Sequence, residues 1–283
     1  MADSKQSRVL VNVLGIPSLI VLVIVGGPVF AGFVTVVMLL GVRELRILTT
    51  KDKSDPLLIL LAVSLILLTC MYYYSINFIT ELIIILTVLT SVIEIFRSKK
   101  TPFHNIAVIL FGFIWLGLMF GSMIRLRNYE AGGYNIGFEL TFAMMLSVWI
   151  CDSAAFIFGK KFGWKKILPA VSPQKSWVGS IAGIIAAFIV MTILYVTDFA
   201  VVGYPSADGF FNGWLDITDV FVLAVIFGVF GQLGDFTESL LKREAGVKDS
   251  SSFLRGHGGI LDRFDSLTFT TPILVIYTKY FIN

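Results

Sequence analysis

Residues 220–243 read VFVLAVIFGVFGQLGDFTESLLKR, an apolar run that becomes polar along a single stripe. No ionisable residue interrupts the run as far as Phe230. The stripe falls at positions i, i+3, i+4 and i+7, one face of an α-helix, and consists of Asp235, Glu238, Ser239 and Lys242. Because ionisable residues are costly beside lipid, this pattern predicts a membrane helix with a functional site at its end.

The composition of the whole chain supports a membrane protein. It is 57% hydrophobic and 14% charged, with a mean hydropathy of +0.87, whereas soluble domains carry about a quarter charged residues. We predict an all-α, polytopic integral membrane protein with about nine transmembrane helices. The predicted spans are 10–25, 27–42, 57–74, 76–95, 105–124, 136–156, 178–197, 219–234 and 266–281. Only Gly26-Gly27-Pro28 separates the first two, so eight spans is an open alternative.

The basic residues are distributed unevenly along the chain, whose formal net charge is +3. With nine spans, one side of the membrane receives all of the 22 Lys and Arg residues except Arg125, Arg127 and Lys279. The positive-inside rule then predicts that the N-terminus and residues 235–265 are cytoplasmic. We expect residues 1–135 to form a scaffold with a possible lipid pocket, and residues 136–283 to form the catalytic region.

The polar stripe after Phe230 has two interpretations. Asp235 and Glu238 could simply pair with Lys242 at a solvated helix end. Gly231 and Gly234 argue against this, because they thin the helix where another group can approach. We therefore assign a function to Asp235 and Lys242, and leave the role of Glu238 open.

A glycine-rich turn follows at Gly256-His257-Gly258-Gly259. Such a turn can direct backbone amides at an oxyanion, and His257 either stabilises the turn or contacts substrate. Asp262 and Asp265 share a face if a helix begins here, although Asp262 is equally suited to be a first-turn acid of that helix. Carboxylates from two helices are suitable ligands for Mg²⁺.

A third polar block covers residues 152–179. Asp152 lies at the end of the sixth predicted span, beside small residues that suit close helix packing. The lysine run 160–166 does not require a catalytic role. The orientation of the protein in the membrane and attraction to anionic lipids are enough to explain it. Phosphate-binding candidates lie in Ser172-Pro173-Gln174-Lys175-Ser176, because Ser-Pro begins a fixed turn directly before the next span; they are Ser172, Lys175 and Ser176.

Together these blocks resemble the CDP-diacylglycerol synthase (phosphatidate cytidylyltransferase) family. The family signature over 239–265 is matched by Ser239-Leu-Leu-Lys242-Arg243, Lys248-Asp249, Ser251, Leu254, His257-Gly258-Gly259, Asp262-Arg263 and Asp265. The upstream family blocks have counterparts in Asp152 to Gly159 and in Ser172 to Gly179. Three positions depart from the pattern: Phe156 replaces Tyr, Val178 replaces Glu, and Arg255 replaces Pro or Gly.

The resemblance implies the reaction of CTP with phosphatidate to give CDP-diacylglycerol and pyrophosphate. It also implies Mg²⁺, with a possible second cation, and a homodimer. Asp235 and Asp262 would bind the metal, with Asp265 as a third carboxylate or supporting partner. Phosphates would be held by Lys242, Arg243 and Arg263, assisted by Ser239 and by the turn with Gly258 and Gly259. Lys248 and Lys175 would contact the triphosphate or the lipid headgroup, and the role of Asp152 is open.

Two other functions remain alternatives. A CTP-dependent kinase of lipid alcohols would release CDP rather than pyrophosphate. A transporter of an anionic solute also places charges beside glycine-broken helices, but near the bilayer midplane and in related halves, whereas here the charges lie at one face. We expect the bacterial cytoplasmic membrane as the location, membrane lipids as partners, and no nucleic-acid partner.

Overall fold

The computed structural model describes residues 15–49, 55–97, 101–131, 134–197, 215–251 and 258–282. These residues are almost entirely helical. The helices are α1 (Gly15–Val25), α2 (Gly27–Thr49), α3 (Leu58–Tyr73), α4 (Ile79–Arg97), α5 (Pro102–Arg127), α6 (Gly137–Phe162), α7 (Trp177–Val196), α8 (Ile217–Glu244) and α9 (Leu261–Phe281). A short antiparallel hairpin, β1 (Glu130–Ala131) and β2 (Tyr134–Asn135), joins α5 to α6.

The all-α membrane fold is confirmed. Six helices are long and apolar enough to cross a membrane, namely α2, α4, α5, α6, α7 and α8, while α1 and α3 are shorter apolar helices. Each predicted span coincides with a helix of the described residues, but the count of nine spans is not confirmed. Five helices continue past their predicted ends: α2 to Thr49, α4 to Arg97, α5 to Arg127, α6 to Phe162 and α8 to Glu244. Hydropathy marks where lipid contact ends, whereas backbone hydrogen bonding continues into polar residues.

Two helices contain a π-helical segment, Phe113–Phe120 within α5 and Ile226–Phe230 within α8. The wider turn of a π segment changes the direction of side chains beyond it, and such segments often occur near functional sites. In α8 the segment ends directly before Gly231, where the polar part of the helix begins.

The chain divides into two compact units. The first unit comprises Met1–Arg125 and Leu241–Phe264, and its core contains Phe30, Leu61 and Phe113. The second unit comprises Leu126–Leu240 and Asp265–Asn283. The predicted functional division at residue 135 stays a prediction.

Helices α6 and α7 pack tightly inside the second unit. A side chain on Gly179 would collide with the Ala155 carbonyl, and one on Gly183 would meet Cys151. The small residues of this part of α6 therefore serve the close packing that the sequence predicts. This packing fixes the start of α7, and with it the turn that carries Lys175.

Candidate active site

A lysine and an aspartate form the centre of a polar cluster in the second unit. Lys175 Nζ lies 2.7 Å from Oδ2 of Asp235, and both side chains are partly buried. The same ammonium lies 4.1 Å from the centroid of the Phe236 ring, a cation–π distance. Ser239 donates a hydrogen bond of 3.3 Å to Oδ1 of Asp235. Lys175, Asp235 and Ser239, all predicted site residues, are thus brought together, while Phe236 was not foreseen.

The turn before α7 holds Lys175 in this position. Lys166 and Ser176 form an antiparallel bridge, and the Lys175 amide donates to the Ser172 carbonyl at 3.3 Å. The Ser176 hydroxyl caps α7 by accepting from the Gly179 amide at 3.3 Å. In the structure Ser172 and Ser176 therefore shape the turn, and their contacts with substrate stay predictions.

Further carboxylates lie beside Asp235 in the same unit. A side chain on Gly234 would collide with the Asp265 carbonyl, so what approaches α8 at this glycine is α9. Asp265 Oδ1 accepts from the Ser266 amide at 2.7 Å, and the Ser266 hydroxyl lies 3.5 Å from Asp152 Oδ2. Burial, and then the charges of Asp235 and Glu238, raise the pKa of Asp265 well above its ordinary value. The cluster concentrates negative charge, and Lys175 offsets part of it.

A second polar cluster lies in the first unit and is centred on Asp262, in the first turn of α9. Lys242 donates to Asp262 Oδ1, and both side chains are largely buried. Oδ2 accepts from the Gly259 amide at 2.6 Å, from the Ser250 hydroxyl at 2.9 Å and from the Ser250 amide at 3.1 Å. Burial raises the pKa of Asp262, but the Lys242 hydrogen bond and the two amides outweigh it and hold the pKa below its ordinary value.

Two residues of the α8 stripe have partners from outside the helix. Asp235 bonds to Lys175, and Lys242 bonds to Asp262. The function assigned to Asp235 and Lys242 stays a prediction. Of the predicted glycine turn, the structure describes Gly258, whose φ of +78° suits glycine, and Gly259, whose amide points at an oxyanion. That oxyanion is the carboxylate of Asp262. Substrate contacts of Gly258 and Gly259 stay predictions, and His257 lies outside the described residues.

The other predicted basic residues are exposed in the first unit: Arg243, Lys248 and Arg263. Their phosphate contacts stay predictions. Of the departures from the family pattern, Phe156 is 66% exposed, so a tyrosine there would place its hydroxyl at the surface. Val178 is half-buried in the first turn of α7, and Arg255 lies outside the described residues.

The carboxylates of the site are oxygen ligands of the type that Mg²⁺ binds. Within the described ranges, no three His, Cys, Asp or Glu side chains stand close enough together to hold a metal ion. Mg²⁺, however, is commonly held by one or two carboxylates together with waters and substrate phosphates rather than by an all-protein cage. Asp235, whose present partner is an ammonium group, offers such an oxygen ligand beside Asp265.

The fold and the two clusters define a polytopic membrane protein whose partly or largely buried carboxylates and lysines suit cations and phosphates. The model of the cytidylyltransferase family matches residues 6–281. The chain belongs to this family.

Individual relatives agree with this membership. A phosphatidate cytidylyltransferase of Bacillus subtilis is 33% identical over 99% of this chain and 100% of its own length. Enzymes of the same name from Haemophilus influenzae and Staphylococcus haemolyticus are 39% and 36% identical over 62% and 64% of this chain, covering 57% and 62% of their own lengths.

Proposed function

We propose that this protein is a phosphatidate cytidylyltransferase, which transfers the cytidylyl group of CTP to phosphatidate and releases pyrophosphate. The observation that carries the proposal is the similarity to the B. subtilis enzyme over nearly the whole chain. The two clusters support it, because the predicted site residues supply a carboxylate and an ammonium group in each unit, Asp235 with Lys175 and Asp262 with Lys242.

The reaction joins two polyanions, so charge is the main obstacle. The phosphate oxygen of phosphatidate attacks the α-phosphorus of CTP, and this nucleophile is already an anion that needs little help from a base. Catalysis then depends on positioning and on fixed positive charge. Lys175 and Lys242 are suited to this task, because each ammonium is held by a carboxylate that fixes its place.

The proposal includes Mg²⁺, with Asp235 and Asp265 as the residues that would hold it and Asp152 beside them. When bound, the ion supplies positive charge that offsets repulsion between the reacting phosphates. Asp262 also remains a proposed ligand, although it would have to exchange one of its present donors for the ion. A second cation is part of the proposal.

We further propose that the protein resides in the bacterial cytoplasmic membrane as a homodimer, with the signature residues facing the cytoplasm. The distribution of Lys and Arg supports this orientation, and the dimer rests on the family resemblance. Because phosphatidate is a membrane lipid, its acyl chains would enter sideways from the bilayer.

The choice of acceptor tests the proposed function. Purified protein in detergent would be given CTP and Mg²⁺ with phosphatidate, with diacylglycerol or with a prenol, and the products identified by mass spectrometry. We expect CDP-diacylglycerol and pyrophosphate with phosphatidate alone. Formation of CDP with diacylglycerol or a prenol would favour the lipid-alcohol kinase, and folded protein that leaves CTP intact would favour the transporter.

A further inference from the structure

Glu44 is a buried carboxylate in the first unit that no motif of the sequence includes. It lies in α2, and its side chain is nearly inaccessible to solvent. Oε1 accepts from the Ser251 hydroxyl at 2.6 Å and from the Ile260 amide at 2.7 Å. Oε2 accepts from the Ser250 hydroxyl at 2.8 Å and from the Leu261 amide at 2.9 Å. The carboxylate therefore bonds to both ends of the segment 250–261, the signature loop.

The two amides explain why a charged residue is tolerated in this place. Ile260 and Leu261 stand at the start of α9, where amides lack partners within the helix and the helix dipole is positive. Glu44 satisfies them from another helix. A buried charge is costly unless it is hydrogen-bonded. The two amides and the Ser251 hydroxyl meet that condition, together with the Ser250 hydroxyl, whose single proton is shared with Asp262.

Ser250 extends the contact from Glu44 to the site. Its hydroxyl lies 2.8 Å from Glu44 Oε2 and 2.9 Å from Asp262 Oδ2. Asp262 in turn holds Lys242. Gly259 lies against the same groups, and any side chain there would collide with the Ser250 hydroxyl and the Glu44 carboxylate. The second glycine of His257-Gly258-Gly259 is therefore required by the space that Glu44 occupies.

We propose that Glu44 is a positioning residue of the transferase, one that fixes the signature loop and thereby places Asp262 and Lys242 for phosphate binding. The inference rests on the proposed function for its catalytic consequence, while the anchoring of the loop is independent of it. Glu44 makes these contacts without being a ligand of the substrate itself.

The test compares Glu44→Gln with Glu94→Gln in purified, detergent-solubilised protein. Glu94 is a matched control, because it is equally buried in the same unit but bonds to Arg97 at 2.6 Å and Asn105 at 2.9 Å. Two quantities are measured: amide hydrogen exchange at Ile260 and Leu261 without substrate, and kcat and KM with CTP and phosphatidate. Glutamine keeps the shape of Glu44 but loses the charge and accepts through a single oxygen.

We expect Glu44→Gln to accelerate exchange at both amides and to lower kcat about tenfold or more, with Glu94→Gln unchanged in both. Glu44→Asp, which restores the charge, should recover part of kcat.

Three outcomes would each overturn the proposal: unchanged exchange in Glu44→Gln, a kcat of Glu44→Gln within twofold of wild type, or equal losses in Glu94→Gln. If Glu44→Gln does not fold, Ser251→Ala removes one of the four bonds and should accelerate the same exchange; failure to do so also overturns it. Wild-type protein without transferase activity would contradict the proposed function, while the exchange comparison would still decide the anchoring.

Discussion

Lys175 Nζ stands 2.7 Å from Asp235 Oδ2 and at the same time 4.1 Å from the centre of the Phe236 ring. One ammonium group thus joins the turn before α7 to the polar part of α8. Lys175 is therefore a counter-charge to Asp235, and its ammonium is of the kind that binds phosphate.

Replacing Lys175 by alanine should lower kcat/KM by about 100-fold, because a fixed positive charge is lost where carboxylates gather. Lys175→Arg should recover part of the activity. Lys165→Ala is the control, since this lysine is exposed in the same turn, and steady-state kinetics with phosphatidate and CTP is the measurement. Equal activity of Lys175→Ala and Lys165→Ala would contradict the assignment.

Neutralising Asp235 tests the proposed metal ligand. Asp235→Asn should reduce kcat about 100-fold or more and should shift the Mg²⁺ dependence of the remaining activity to higher concentration. Chelation by EDTA should abolish wild-type activity, and added Mg²⁺ should restore it. Glu244→Gln, an exposed position at the end of the same helix, should behave as wild type. Near-normal turnover of Asp235→Asn with an unchanged Mg²⁺ dependence would remove Asp235 from the site.

Two glycines of α8 should respond differently to alanine. A methyl group at Gly234 would collide with the backbone of Asp265, whereas at Gly231 it would make ordinary contacts. Gly234→Ala should therefore lower the free energy of unfolding by about 1–3 kcal/mol. Gly231→Ala should leave it unchanged or raise it by up to about 1 kcal/mol, because alanine is favoured over glycine in a helix. Denaturant unfolding in mixed micelles measures both. Equal stability of the two variants would contradict the close approach of α9 to α8 at Gly234.

The Lys242–Asp262 pair should be strongly coupled, because both side chains are largely buried. A double-mutant cycle with Lys242→Met and Asp262→Asn should give a coupling free energy on the order of 1–3 kcal/mol. The pair of Asp55 and Arg97 is the control, since Asp55 is 57% exposed, and such pairs contribute about 1 kcal/mol or less. Unfolding of all variants is followed in the same detergent. A coupling no larger than that of the control would show that Asp262 does not fix Lys242.

The sequence predicts the helices well, because an apolar run long enough to span lipid has few other stable structures. It also brings Asp235, Ser239 and Lys242 onto one helix from their spacing alone. What it misses depends on tertiary packing. Neither the ion pair of Asp235 with Lys175 nor the ring of Phe236 beneath that lysine follows from local periodicity.

Glu44 illustrates the limit most clearly. It lies just beyond the predicted span 27–42, where a charged residue is explained by the end of the lipid contact. The structure instead continues α2 to Thr49 and buries the carboxylate. Its partners, such as Ile260, are remote in the sequence. The sequence shows only an acidic residue at the end of an apolar run. The residues that donate hydrogen bonds to it cannot be identified from sequence spacing.

The position of the transferred label tests the central claim most directly. Purified protein would be incubated with phosphatidate, Mg²⁺ and CTP labelled at either the α- or the γ-phosphorus, and the lipid and aqueous phases counted. Attack at the α-phosphorus predicts that α-label enters the lipid phase in the same amount as γ-label appears in aqueous pyrophosphate. Entry of γ-label into the lipid phase, or label transfer that does not require phosphatidate, would contradict the account.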